Sequence, residues 1–132
     1  MSGWGVAHLV VDGMNVIGSR PDGWWRDRDG AVRRLLADLQ SLVPSDDEVV
    51  TLVLDGRPLS DVPEGTHDGV HVVYARRSGR DAADDRIVEL VGALEPSADT
   101  TVITSDRALA AQVRDLGATV SGAGSLLRRL GR

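Results

Sequence analysis

Aspartates punctuate the ends of this chain's apolar runs. Asp12-Gly13-Met14-Asn15 follows His8–Val11, Asp55-Gly56 follows Val49–Leu54, and Thr104-Ser105-Asp106 closes Thr101–Thr104. Val70–Tyr74 leads through Arg76-Arg77-Ser78-Gly79-Arg80 to Asp81, Asp84 and Asp85. Each motif has a plain structural role: Asp55-Gly56 as a turn, Asp81 as a helix N-cap with Asp84 three residues on, Ser105 or Asp106 as another cap. Spacing argues for more at two of them. Asp84 precedes Ile87 by three residues and Val91 by seven, and Asp106 stands in the same relation to Leu109 and Val113. Both carboxylates therefore continue an apolar helical stripe, where an acid is costly unless paired or bound to a cation. With Asp12 they form a group of three whose mutual repulsion would raise their pKa values unless Mg²⁺ or Mn²⁺ occupied the site. One or two such ions generate hydroxide from water and stabilise the charge developing on a phosphate, the chemistry of many nucleases. Asn15 could orient water or hold a phosphate oxygen.

The runs that precede these acids are short, β-branched and mostly continuous, which reads as strands buried on both faces of a parallel sheet. Val32, Leu35, Leu36, Leu39, Leu42 and Val43 recur at helical spacing and end at Pro44. A second stripe, Ile87, Leu90, Val91 and Leu94, stops before Pro96, and a third, Leu109, Val113 and Leu116, stops at Gly117, a natural residue just past a helix end. Ala118–Val120 suits a short fifth strand, followed by a terminal helix around Leu126, Leu127 and Leu130. Alternating strand and helix predict a three-layer α/β/α fold with a central, mostly parallel sheet of 4–5 strands. In open sheets of this kind ligands bind beyond the carboxyl ends of the strands, where the aspartates fall. The link 56–69 holds Pro58 and Pro63 and no helical stripe, so it is expected to be irregular.

Composition narrows the chemistry further. At 132 residues, with no internal repeat, low-complexity tract or linker, the chain reads as a single domain over 1–132. It has no cysteine, which excludes disulfides and thiolate chemistry, and His8, His67 and His71 show no spacing of a zinc site. All 15 basic residues are arginine, so every mechanism requiring a catalytic lysine, Walker-type phosphate loops included, is excluded. A net charge of −5 argues against a passive nucleic-acid coat, an objection an acidic site filled by divalent cations escapes. No apolar run approaches the roughly 18 residues of a membrane span, and no basic segment precedes the first one, so a cytoplasmic location is expected.

The motifs DGMNVI at 12–17, VLDG at 53–56, DAADDRIVEL at 81–90 and VITSDRALAAQVRDLGA at 102–118 together resemble the NYN domain of PIN-like ribonucleases, especially its YacP-like branch. The match runs in order along nearly the whole chain. The resemblance implies an acidic pocket on a parallel sheet that binds Mg²⁺ or Mn²⁺ and cleaves RNA. It assigns metal-site roles to Asp12, Asp84, Asp85 and Asp106, a positioning role for water or substrate to Asn15, and a supporting role to Ser105. Asp55 and Asp81 become outer candidates. The longer C-terminal part of many YacP-like proteins is expected to be missing, which bears on the substrate-binding surface more than on the metal site.

Arg76, Arg77, Arg80, Arg86 and Arg107 cluster by sequence around the same edge, and their guanidinium forks suit phosphate as well as they suit neighbouring acids. Trp24 and Trp25 could stack on unpaired bases, cover the first helix or form a dimer contact. Arg128, Arg129 and Arg132 form a small basic tail suited to the last helix's C-terminus. Met14 stands where a haloacid-dehalogenase-like phosphatase needs its second aspartate, a receiver domain would need a lysine, and Gly122-Ala123-Gly124 comes too late for a dinucleotide fingerprint. The expected function is endonucleolytic phosphodiester hydrolysis of single-stranded or structured RNA, by a monomer or homodimer, with the ribosome an open partner and no membrane. A metal-dependent nucleotide pyrophosphohydrolase and a catalytically silent RNA- or protein-binding module are the alternatives.

Overall fold

In a computed structural model the described residues are 7–42, 48–76, 81–94 and 99–131. Strands β1 (Ala7–Asp12), β2 (Glu48–Leu54), β3 (Gly65–His67), β4 (Val70–Tyr74), β5 (Asp99–Ile103) and β6 (Thr119–Ser121) form one sheet in the order β3-β4-β2-β1-β5-β6. Every pairing is parallel except β3 with β4. β1 sits at the centre, its Leu9, Val10 and Val11 all buried, as expected of a strand covered on both faces.

Side-chain alternation along β1 divides the core. Leu9 and Val11 join Val16, Leu35, Leu39 and Leu126, which come from α1 (Gly13–Gly18), α2 (Arg28–Gln40) and α5 (Ala123–Arg129). Val10, with Val53 and Val102, packs against Ile87, Val91, Leu109 and Val113 of α3 (Ala82–Ala93) and α4 (Arg107–Asp115). The result is the expected α/β/α layering. Asp12 falls two residues after Val10, so the period-two pleat aims it toward the α3–α4 layer.

The sheet has six strands rather than 4–5. The extra one, β3, lies in the irregular link, where a two-proline segment folds back antiparallel on β4. Tyr74 pins that link: its hydroxyl donates to the Val62 carbonyl at 2.7 Å and accepts from the Leu59 N–H at 3.3 Å. A six-residue helix, α1, begins at once after Asp12, where the sequence showed only a strand end; it is too short for a periodic signal. Leu116, read as part of the α4 stripe, is instead 46% exposed, because it follows the helix where the chain turns away at Gly117. Gly117 has a φ of +96° and donates to the Arg114 carbonyl, a glycine helix stop as expected.

Candidate active site

Three chain reversals bring the aspartates to one edge. β1 ends in Asp12, β5 runs directly into Thr104-Ser105-Asp106, and α3 opens with Asp84 in its first turn. Gly13 lets α1 start there. A Cβ on it would stand 2.8 Å from Leu54 Cδ2 and 2.9 Å from the Val53 carbonyl oxygen, so the chain leaves Asp12 in contact with β2 itself.

Thr104 organises the centre of the site. Its hydroxyl donates to Asp12 Oδ2 at 2.9 Å and accepts the Asp106 N–H at 3.1 Å. The Asp106 carboxylate in turn accepts the Leu109 N–H at 3.0 Å and caps α4. Asn15 Oδ1 accepts the Ser105 N–H at 2.8 Å, tying α1 to the same loop, and Ser105 Oγ accepts the Ala123 N–H at 3.2 Å at the start of α5. Because Asn15 presents its oxygen to that N–H, its amide NH₂ is the end left for a ligand. Thr104, only 2% exposed, is the site residue that sequence reading passed over; a polar residue ending a buried strand just before the acid was its signal.

The electrostatics are those of buried acids that also repel one another. Burial raises the Asp12 carboxyl above its ordinary range; the Thr104 hydroxyl and the backbone N–H of Asn15 oppose this, and the charges of Asp106 and Asp55 add to it. Asp84 is pushed up to about 6, first by burial and then by Asp106, Asp12, Asp81 and Asp85. Asp12, Asp84 and Asp106 therefore share one field, as the stripe geometry anticipated.

The remaining candidates are distributed more widely. Asp55 lies at the same edge, but its backbone oxygen and Oδ1 both accept from Arg28 Nη2, at 2.8 and 2.7 Å. Asp81 precedes α3 in a left-handed conformation with a φ of +66° and makes no side-chain cap. Asp85 is exposed and lines a separate cleft with Arg76, Arg86 and Glu89. Arg76 Nη2 and Arg86 Nη1 both donate to Glu89 Oε1, so these two forks converge on a carboxylate of α3 rather than on the acid site. Arg107 opens α4, exposed and beside Asp106. Arg77, Arg80 and Arg132 lie outside the described residues. His67 contacts the Pro63 carbonyl at 2.6 Å and His71 contacts Thr66 at 2.8 Å, both within the β3–β4 region.

Oxygen donors only, in repulsive proximity, are the donor chemistry of Mg²⁺ or Mn²⁺. Among the described residues no three acids or histidines stand close enough to form a ready ligand group. That is compatible with Mg²⁺, which keeps several waters and is usually held by one or two carboxylates together with substrate phosphate. The raised proton affinity of Asp12 and Asp84 is the mark of carboxylates that are buried and lack a neighbouring positive charge.

The YacP-like NYN domain, as a sequence family, matches residues 9–132. No curated protein sequence matches significantly. The fold is similar to crystal structures of Rae1 (YacP) from Bacillus subtilis, with a TM-score of 0.76 at 25% identity over 93% of this chain and 72% of that one. A W164L mutant of the same protein aligns with a TM-score of 0.74, at 25% identity, over 94% of this chain and 74% of the other.

Proposed function

The chain belongs to the YacP-like NYN domain family, and from that premise we propose that it is an Mg²⁺- or Mn²⁺-dependent endoribonuclease, hydrolysing phosphodiester bonds within RNA at the Asp12–Asp84–Asp106 site. Family membership points to a nuclease-type, RNA-related function. The observation that carries the finer reading is the hydrogen-bonded chain from the Asp106 N–H through Thr104 to Asp12, facing an Asp84 whose carboxyl is raised to about 6.

In this reading one or two of Asp12, Asp84 and Asp106 hold the cation directly, the remaining acid of the three acts through its bound waters, and Asp85 adds charge from the outer side of α3. A bound divalent ion would supply a hydroxide nucleophile and stabilise charge on the phosphate. The protein's own part is positional. Thr104 fixes which oxygen of Asp12 is turned inward, since Oδ2 is occupied by its hydroxyl. Asn15, locked by its oxygen to the Ser105 N–H, presents two amide donors suited to a phosphate oxygen. Ser105 holds the loop to α5. Among the described residues no helix is long and apolar enough to cross a membrane. A cytoplasmic site of action is part of the same proposal.

The test is cleavage of fluorescent single-stranded and hairpin RNAs with Mn²⁺, Mg²⁺ or EDTA, alongside Asp12→Asn and Asp106→Asn proteins and with nucleoside triphosphates in parallel. Metal-dependent cleavage lost in both variants is expected. Turnover of nucleotides alone would replace the reading with a pyrophosphohydrolase, and no turnover of either would favour a silent binding module. Adding purified ribosomes to the same assay tests whether RNA is cut in ribosome-bound form, and light scattering in solution separates monomer from homodimer.

A further inference from the structure

Two clefts carrying arginine open on opposite sides of the acid site. The sheet order puts β2 on one side of β1 and β5 on the other, so Asp55 and Asp106 follow the two strands that flank Asp12, whose axes lie roughly 10 Å apart. Beyond Asp55, a cleft of about 510 Å³ is lined by Arg28, Arg33, Arg57 and Ser60. Beyond Asp106, a cleft of about 430 Å³ is lined by Arg107, Arg114, Ser105 and Gly122.

Paired and unpaired arginines both occur around this edge. Arg76 and Arg86 converge on Glu89. In the first cleft Arg28 uses only Nη2 on Asp55, and Arg33 uses Nε and Nη2 on Asp61. Each is thereby held in place with N–H groups to spare, which lowers the ordering cost of a further contact. Gly56, at a φ of +83°, admits the Arg28 head: a Cβ there would lie 3.0 Å from Nη2. Arg57, Arg107 and Arg114 have no side-chain partner among the described residues, and all three are exposed. Asp29 at the first cleft is the one opposing acid in its lining. In a chain of net charge −5, one unpaired guanidinium on the β2 flank of an acidic centre and two on the β5 flank are a pattern complementary to a polyphosphate backbone that passes over it.

We propose that a single RNA strand crosses the acid site from one arginine cleft to the other, gripped by Arg57 on the β2 side and by Arg107 and Arg114 on the β5 side. This rests on the ribonuclease reading and adds to it a requirement for nucleotides on both sides of the bond that is cut. A phosphate at the strand's end would occupy one cleft and leave the other empty, so terminal bonds are poor substrates.

The test measures binding apart from catalysis. Asp12→Asn protein with Mg²⁺ is titrated with a ladder of fluorescent single-stranded oligoribonucleotides at several salt concentrations, alone and combined with Arg57→Ala, with Arg114→Ala and with both. Each arginine variant should weaken binding of the longer strands several-fold and reduce the salt slope by about 0.7, and the two together should do both in sum. Arg128→Ala, which removes the same charge from α5 and lines neither cleft, should change neither quantity. In the wild-type protein, end-labelled substrates should be cut internally and not at terminal bonds. Salt slopes indifferent to Arg57 and Arg114, or terminal bonds cut as fast as internal ones, would overturn the strand path while leaving metal-dependent cleavage standing. Arginine-dependent binding without any cleavage would keep the path and remove the nuclease. Absence of RNA binding would remove the path as well.

Discussion

The Thr104 hydroxyl stands 2.9 Å from Asp12 Oδ2, joining residues 92 positions apart in the chain. Asp12 is 6% exposed and Thr104 2%, so this contact is made in a nearly dry environment, where an unpaired carboxylate would be expensive. The same oxygen accepts the Asp106 N–H, so one hydroxyl sets the spacing of two carboxylate-bearing residues. A valine of the same shape could fill the space but do neither.

Thr104→Val should therefore lower RNA cleavage about 10–100-fold, as loss of a ligand-orienting partner does, while destabilising the fold by about 1–3 kcal/mol. Thr104→Ser should restore most of the activity. The comparison is made on kcat for a defined RNA, with urea denaturation as the stability control; equal activity in the valine and wild-type proteins would show that Asp12 needs no such partner.

Stability should depend on pH through Asp84. An acid whose pKa is raised by folding holds its proton more tightly in the folded state than in the unfolded chain. Its stabilising effect is complete below the ordinary value of 3.8 and is lost as pH rises toward about 6. Asp84→Asn should accordingly stabilise the metal-free protein by about 1–2 kcal/mol near pH 8, less than the full shift implies because the side chain is partly solvated. Below about pH 4 the two proteins should unfold alike. Thermal melts in EDTA across this range would contradict the crowded-acid account if the variant gained nothing at high pH.

Divalent metal should act on the same charges from outside. Mg²⁺ or Mn²⁺ at tenfold over its dissociation constant adds about 1.4 kcal/mol to the wild-type fold, visible as a Tm rise of several degrees. Asp12→Asn should lose most of that rise. Calorimetric melts with and without metal decide it, and a wild-type Tm indifferent to both ions would sink the cation site.

Gly13→Ala is predicted to be damaging despite alanine's better helix propensity. The added methyl would meet Leu52 Cδ1 and Leu54 Cδ2 at under 3 Å, together with the backbone oxygen of Val53, which cannot yield as a side-chain end can. Overpacking of this kind costs about 1–3 kcal/mol, and relaxation would displace the adjoining Asp12. Urea titration and cleavage should both report a loss; an unchanged midpoint would mean that α1 can shift freely.

The two adjacent tryptophans should separate cleanly. Trp24 packs against the core, whereas Trp25 is 62% exposed with the Arg26 guanidinium 5.9 Å from its ring centre. Trp24→Ala should cost about 2–4 kcal/mol, and Trp25→Ala should stay within about 0.5 kcal/mol. If RNA bases stack here, Trp25 is the ring they reach, so quenching of tryptophan fluorescence by RNA should vanish in Trp25→Ala and persist in Trp24→Ala.

The sequence by itself determined the layers and the acids. Continuous β-branched runs ending in aspartate, with helical stripes between them, are local patterns, and they located the five parallel strands, four of the helices and the edge where Asp12, Asp84 and Asp106 gather. The short helix after Asp12 and the antiparallel β3 were not legible, because six and three residues are too few for a period to show and both are held by partners distant in the chain. Tertiary structure alone decided how the site is wired. Arg76 and Arg86, near the acids in sequence, turn to Glu89; Arg28, 27 positions from Asp55, donates to it and lines a cleft there. Thr104 gained its role the same way. Hydrogen bonds and ion pairs depend on direction and on distances of a few ångströms, which strand order and helix placement set, whereas burial depends on a periodic pattern that each segment carries for itself.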